Sequence, residues 1–266
     1  MYTSTAYAPG LAAGTLTIAR YVLAEAVFGR LGLAALAIAG AGLGVGWFAG
    51  EMAITESANI QGSALAAFLR LAAMLLVMSF VISGLTREQA DKGLELLLSL
   101  AIPRASYVTG KLLGYIALAS LCAAAFSLPL FAFAPAMNVV AWGIALALEL
   151  AIVAAAAMAC ALVIGQSALC LLVVAAFYGL SRIMPALLAI TANPVAPSGS
   201  MSFKLMSTTL HGIATLLPAL DRFASSAWLW QGSAVWSHLP SAAAQAAIYV
   251  PLLLLLAMFD FYRKNL

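Results

Sequence analysis

Three charged residues stand inside long apolar runs: Arg70, Glu149 and Arg182. A charge at the centre of a bilayer costs about 2.5–3.5 kcal/mol on insertion scales, so each needs an opposite charge, a wet cavity or, for Glu149, a proton. Two readings follow. Glu149 pairs with Arg182 or Arg70 and fixes the packing of helices, or it faces a transport path and touches substrate. At 1.5 Å of rise per residue, Glu149 and Arg182 differ in depth by about 6 Å, a gap that an arginine side chain spans. A second concentration of charge lies between two apolar runs, where Arg87, Glu88, Asp91, Lys92, Glu95, Arg104 and Lys111 fall within residues 86–111. In a chain otherwise poor in charge, such a cluster reads as a segment that faces water.

Other reactive side chains have no chemistry-bearing pattern around them. Cys122, Cys160 and Cys170 all sit in apolar runs, without the spacing of a metal or redox motif, and read as small core hydrophobes. His211 and His238 lack acidic neighbours at ligand spacing. No His-Glu-x-x-His or Gly-x-Ser-Gly occurs, and Gly165-Gln166-Ser167 runs into Ala168, so an intramembrane protease or acyltransferase has no evident centre. A phosphate loop requires Gly-x4-Gly-Lys-Ser/Thr. Here Gly110-Lys111 is followed by Leu112, and Ala105 stands at the first glycine position. The chain is therefore not expected to be an ATPase itself.

The elements that position these residues follow from composition. Of 266 residues, 65% are hydrophobic and 8% charged, with mean hydropathy +1.08. A soluble domain carries about 25% charged residues. Lipid must therefore be the main solvent, and in lipid only helices and closed barrels satisfy their own backbone groups. The Ala/Leu-rich runs lack period-2 alternation, which selects helices. The predicted fold is an all-α membrane protein with six transmembrane helices, at about 31–50, 64–85, 112–134, 139–164, 168–189 and 242–259, in a single domain over 1–266. The first thirty residues contain Arg20, Glu25 and Arg30 before any apolar run and do not read as a secretory signal. The net charge of +3 gives no reason to expect nucleic acid.

Lys and Arg set the expected orientation. With the N-terminus inside, Arg20, Arg30, Arg87, Lys92, Arg104, Lys111, Arg263 and Lys264 are inner. Lys204 and Arg222 are outer, and Arg70 and Arg182 lie within spans, which accounts for all 12. Trp47, Trp142, Trp228, Trp230 and Trp236 then all fall on the outer side, near the depth that indoles prefer. Residues 15–27 form a candidate amphipathic interfacial helix, with Leu16, Ala19, Leu23 and Val27 on one side. Gly42, Gly46 and Gly50 make a smooth stripe on the first span, suited to packing within the chain or against a second copy. The outer segment 191–241 is too long to lack structure, and short helices dipping into the outer half of the membrane are expected.

Residues 86–111 carry the most information. Thr86 and Gln89 have capping-box spacing, which predicts a helix starting there. Leu94, Leu97 and Leu98 share one face of it. In order, the segment supplies Glu88, Gly93, Leu94, Glu95, Leu97, Leu98, Ser99, Arg104, Tyr107, Gly110 and Lys111. This pattern resembles the type-2 ABC export permeases, in which an acidic-basic cluster and Gly-Thr-Leu-Glu precede Leu-Leu-Ser, a Pro turn, Arg, Tyr and Gly-Lys. In this chain Leu94 follows Gly93 without the threonine, and the proline is at 103 where the family places it near Ala101. The six-span layout and the N-terminal amphipathic helix are similar to the family as well.

The resemblance implies a cytoplasmic coupling helix between the second and third spans. Through it the chain would dock on a separate ABC ATPase subunit, with Arg87, Glu88, Asp91, Gly93, Glu95 and Arg104 as the coupling residues. ATP and Mg would be held by that partner, with no cofactor or metal in this chain and no catalysis by it alone. The resemblance further implies a second permease copy, the same or different, and a place in the bacterial cytoplasmic membrane with both termini cytoplasmic. The alternative classes are a secondary transporter or a membrane assembly factor and, ranked after them, an intramembrane enzyme. Pro129 and Pro185 interrupt spans in a way such transporters use, but no internal repeat accompanies them.

Overall fold

A computed structural model describes residues 11–52, 57–91, 104–192 and 201–263. The described residues form helices α1 (Leu11–Phe28), α2 (Arg30–Glu51), α3 (Ser57–Ala90), α4 (Arg104–Ser127), α5 (Ala136–Ile164), α6 (Ser167–Ala192), α7 (Met201–Leu216) and α8 (Leu239–Arg263). Short 3-10 turns at Leu128–Ala132, Leu220–Arg222, Ser226–Trp230 and Gly232–Ser237 join them. Among these residues, six helices are long and apolar enough to cross a membrane, which makes the chain a multi-pass, all-helical membrane protein in character. They overlap the six predicted spans and mostly extend beyond them, but α4 ends at Ser127, short of the 134 predicted for the third span.

α5 is the hub. Its span is 72% buried, against 11% for that of α2, and it packs on α3, α4, α6 and α8. The sequence explains why. From Ala151 to Ala161 the helix is dominated by alanine, so neighbouring backbones approach closely where lipid provides no hydrophobic drive of its own. Its C-terminus closes on Gly165 at φ 71, whose amide donates to Ala161 O at 3.1 Å. A residue with a Cβ is disfavoured at that left-handed position. α3 is the longest element, at 34 residues, or about 51 Å. It overruns a hydrocarbon core of about 30 Å, so its terminal turns can stand beyond the apolar layer. Its first turns meet Trp230 and its last turn carries Glu88, so the bundle has a Trp230 end and a Glu88 end.

Several local expectations change. No helix begins at Thr86. α3 runs through it, and Thr86 Oγ1 donates to Ile82 O at 2.8 Å instead of capping. A hydroxyl satisfied by the preceding turn leaves a capping-box spacing without meaning. Gly93 and Glu95, with the predicted coupling helix, lie outside the described residues. Arg104 opens α4, and only its backbone is described. The N-terminal helix is present but turned relative to its predicted face. Val22 and Ala26 are buried, whereas Leu16 and Val27 are exposed. The reason lies on α4: Gly110 and Gly114, four residues apart, let α1 come close enough that added Cβ atoms would meet Thr15 O at 2.9 Å and Val22 Cβ at 2.8 Å. This small-residue seam outweighs the apolar moment of α1. The glycine stripe of α2 packs within the chain, since Gly42 and Gly46 face Leu65 of α3. Pro129 ends α4 in a 3-10 turn, while α6 continues through Pro185 and α8 through Pro251.

Candidate functional site

Two polar clusters occupy the two ends of the bundle. At the Glu88 end, the last turn of α3 meets the first turns of α4. Lys111 Nζ forms an ion pair with Glu88 Oε1, and Tyr107 OH donates to Glu88 Oε2 at 2.6 Å. Both carboxylate oxygens are thus engaged. The Lys111 side chain is only 5% exposed, so its ammonium depends on Glu88 for compensation. Tyr107 and Lys111 are four residues apart and share one face of α4. Next to this knot, Gln89 Nε2 donates to Ala161 O at 3.1 Å and so adds to the Gly165 cap of α5. Phe261 of α8 stacks on Tyr107, with ring centroids 6.1 Å apart. The ends of four spans are therefore tied together at this end of the bundle. Arg87 and Asp91 are exposed beside it. A cavity of about 500 Å³ there is lined by Glu25, Arg87, Glu88 and Asp91.

The second cluster lies toward the Trp230 end. Glu149 of α5 is 1% exposed. Its Oε1 accepts from Arg182 Nη1 at 3.2 Å and from Tyr178 OH at 2.8 Å. Tyr178 and Arg182, four residues apart on α6, present one face to α5. Of the two arginines weighed as partners, Arg182 takes the salt bridge. Arg70 is close enough to interact with Glu149, Arg182 and Tyr178, but its Nη1 donates to Ala224 O at 3.0 Å. Arg182 Nη1 also reaches Leu220 O at 2.7 Å. Trp142 Nε1 donates to Ala224 O at 2.9 Å, and Asn138 Nδ2 donates to Leu229 O at 3.0 Å.

The arginines thus serve two needs at once. They neutralise Glu149, and they satisfy carbonyls of a segment that is not a continuous helix. Irregular backbone buried in the protein has no water to turn to, so side chains must complete its hydrogen bonds. Sequence reasoning placed Arg70, Glu149 and Arg182 at compatible depths but missed Tyr178, Trp142 and Asn138. Tyr178 was findable, because it stands one turn from Arg182. Trp142 was read as an interfacial indole, yet it is fully buried, while Trp47 and Trp236 are exposed. The neighbouring Asp221 and Arg222 differ in setting. Arg222 is exposed, and Asp221 Oδ1 is buried without a partner. His238 stacks on Trp228 at 5.6 Å.

No protein-family model matches the chain, and no curated protein matches it either.

Proposed function

We propose that this chain is the membrane-spanning permease subunit of an ATP-driven transporter of the type-2 ABC export kind. It would work with a separate cytoplasmic ATPase and a second permease copy in the bacterial cytoplasmic membrane. The observation that supports the reading is the knot at the Glu88 end. Glu88, Tyr107 and Lys111, three of the residues on which the resemblance rests, converge on one ionic contact that closes both flanks of segment 92–103. A segment held at both ends by rigid helices passes a push from a docked partner into α3 and α4. The contacts of Gln89 and Phe261 pass it on to α5 and α8.

In this reading the Glu88 end faces the cytoplasm, following the bias of Lys and Arg. The exposed Arg87 and Asp91 meet the ATPase, together with Gly93, Glu95 and Arg104 of the adjoining segment. Glu88 acts from within, by holding the segment in place. α1 lies in the inner interface, with Leu16, Tyr21, Val27 and Phe28 exposed toward lipid.

The test is co-purification with a cassette ATPase encoded beside the chain, with ATP turnover assayed in lipid. A stable complex whose turnover is altered by Arg87→Ala or Asp91→Ala is the expected result. A folded chain that binds no such ATPase would end this reading and reopen the secondary-transporter and assembly-factor classes.

A further inference from the structure

The segment from Ala219 to Trp230 is held by side chains of four helices acting mostly on its main chain. Arg70 of α3 and Trp142 of α5 share Ala224 O, Arg182 of α6 takes Leu220 O, and Asn138 of α5 takes Leu229 O. Gln245 of α8 accepts from Ala219 N at 3.2 Å, and Trp230 Nε1 donates to Ser63 Oγ at 3.0 Å. Between these ties, Leu220, Phe223, Ala224 and Leu229 are fully buried. Ala224, whose carbonyl carries two of the ties, has φ 40, a left-handed value that a residue with a Cβ adopts only under constraint. Such strain persists where the surroundings over-determine it, and it clusters at active sites, ligand clamps and switch regions.

The charges sharpen the point. A neutral donor would satisfy Leu220 O at lower cost in a membrane than an arginine does. The arginine adds dependence on Glu149, which is buried on α5 and keeps Oε2 free of any hydrogen bond. Buried ion pairs of this kind are poor sources of stability, because the cost of desolvation offsets their attraction. The two arginines also sit on different helices, so a shift of α6 relative to α3 loads both ties at once.

We infer that residues 219–230 form a movable closure over the Trp230 end of the bundle, latched shut by Arg70 and Arg182, with Glu149 as the strut that holds Arg182. Releasing Glu149 from Arg182 loosens the tie on Leu220 O, and displacing α3 removes one of the two ties on Ala224 O and leaves that of Trp142. The latch stands on these contacts alone. That its opening clears a path for cargo rests on the permease reading.

The experiment uses the full chain in vesicles, with Cys122, Cys160 and Cys170 replaced by alanine and a single reporter at Phe223→Cys or Leu229→Cys. A membrane-impermeant maleimide is applied from either face. A second reporter at Ala154→Cys, in the middle of α5, registers global unfolding. Arg70→Met and Arg182→Met are expected to raise labelling at 223 and 229 by roughly tenfold, the size of one lost charged hydrogen bond, while 154 stays protected. Arg70→Lys should give an intermediate rate. Unchanged labelling at 223 and 229 in folded variants overturns the inference. If Arg182→Met unfolds the chain, the charge-neutral pair Glu149→Gln with Arg182→Met decides. Folded with 223 labelled supports the latch. Folded with 223 protected, or unfolded again, makes the cluster a fixed part of the core and overturns it. The labelling needs no ATPase, so its failure leaves the permease reading standing, and a missing ATPase complex leaves the labelling result standing.

Discussion

At the scale of single residues, the energetics of both clusters are set by who is left alone when a partner is removed. Glu88→Ala strands the buried Lys111 ammonium, and because Glu88 is itself 26% exposed the cost falls below the about 3–5 kcal/mol of a fully buried pair broken from one side. Thermal unfolding in detergent should therefore show Glu88→Ala as clearly more damaging than the double variant Glu88→Ala with Lys111→Met. Equal damage would mean that Lys111 finds water in place of Glu88. Ala224 offers a substitution of opposite sign. Glycine accepts φ 40 without penalty, so Ala224→Gly should raise stability by about 1 kcal/mol, read as a higher melting temperature. The sequence exposed the residues of both clusters through their cost, since charge in an apolar run is conspicuous. It did not expose their acceptors. Leu220, Ala224 and Leu229 contribute only carbonyl oxygens, and a carbonyl has the same sequence signature at every position.

At the scale of elements, glycine sets how closely the helices approach. Gly62 lies under Trp230: a Cβ there would fall 2.8 Å from Trp230 Cζ2 and 3.3 Å from Phe133 Cβ. Gly62→Val is predicted to push Trp230 off Ser63 at an overpacking cost of about 1–3 kcal/mol. A shifted tryptophan emission and a lowered melting temperature would register it. Gly110 and Gly114 do the same work for α1, and Gly114→Leu should detach α1 from α4, seen as faster amide exchange over Leu11–Phe28 with α5 unaffected. The six long helices were legible because an unbroken apolar run needs no partner to be recognised. The face of α1 was not, because a glycine seam on α4, some ninety residues away in sequence, outbids its own amphipathic pattern. The Thr86 cap failed for a related reason: cap spacing is informative only where a helix begins, and α3 had begun at Ser57.

At the scale of the whole molecule, orientation is the property on which the functional reading turns. Topology reporters fused within 92–103 and within 193–200 should report opposite faces, cytoplasmic for the first and external for the second. The reverse assignment would place the Glu88 end away from any cytoplasmic ATPase. α3 has a further consequence for how the two ends communicate. Arg70 and Glu88 are separated by eighteen residues, about five turns and 27 Å on a straight helix, so they stand in phase on one rod. On the permease reading, turning one end of this helix would turn the other without a relay of side chains. A single alanine inserted after Leu76 would leave every residue of both clusters in place but rotate them against each other by about 100°. Seven inserted alanines would bring them back to within about 20°, and activity that returned with the longer insertion would mark torsional phase, not length, as what the two ends share.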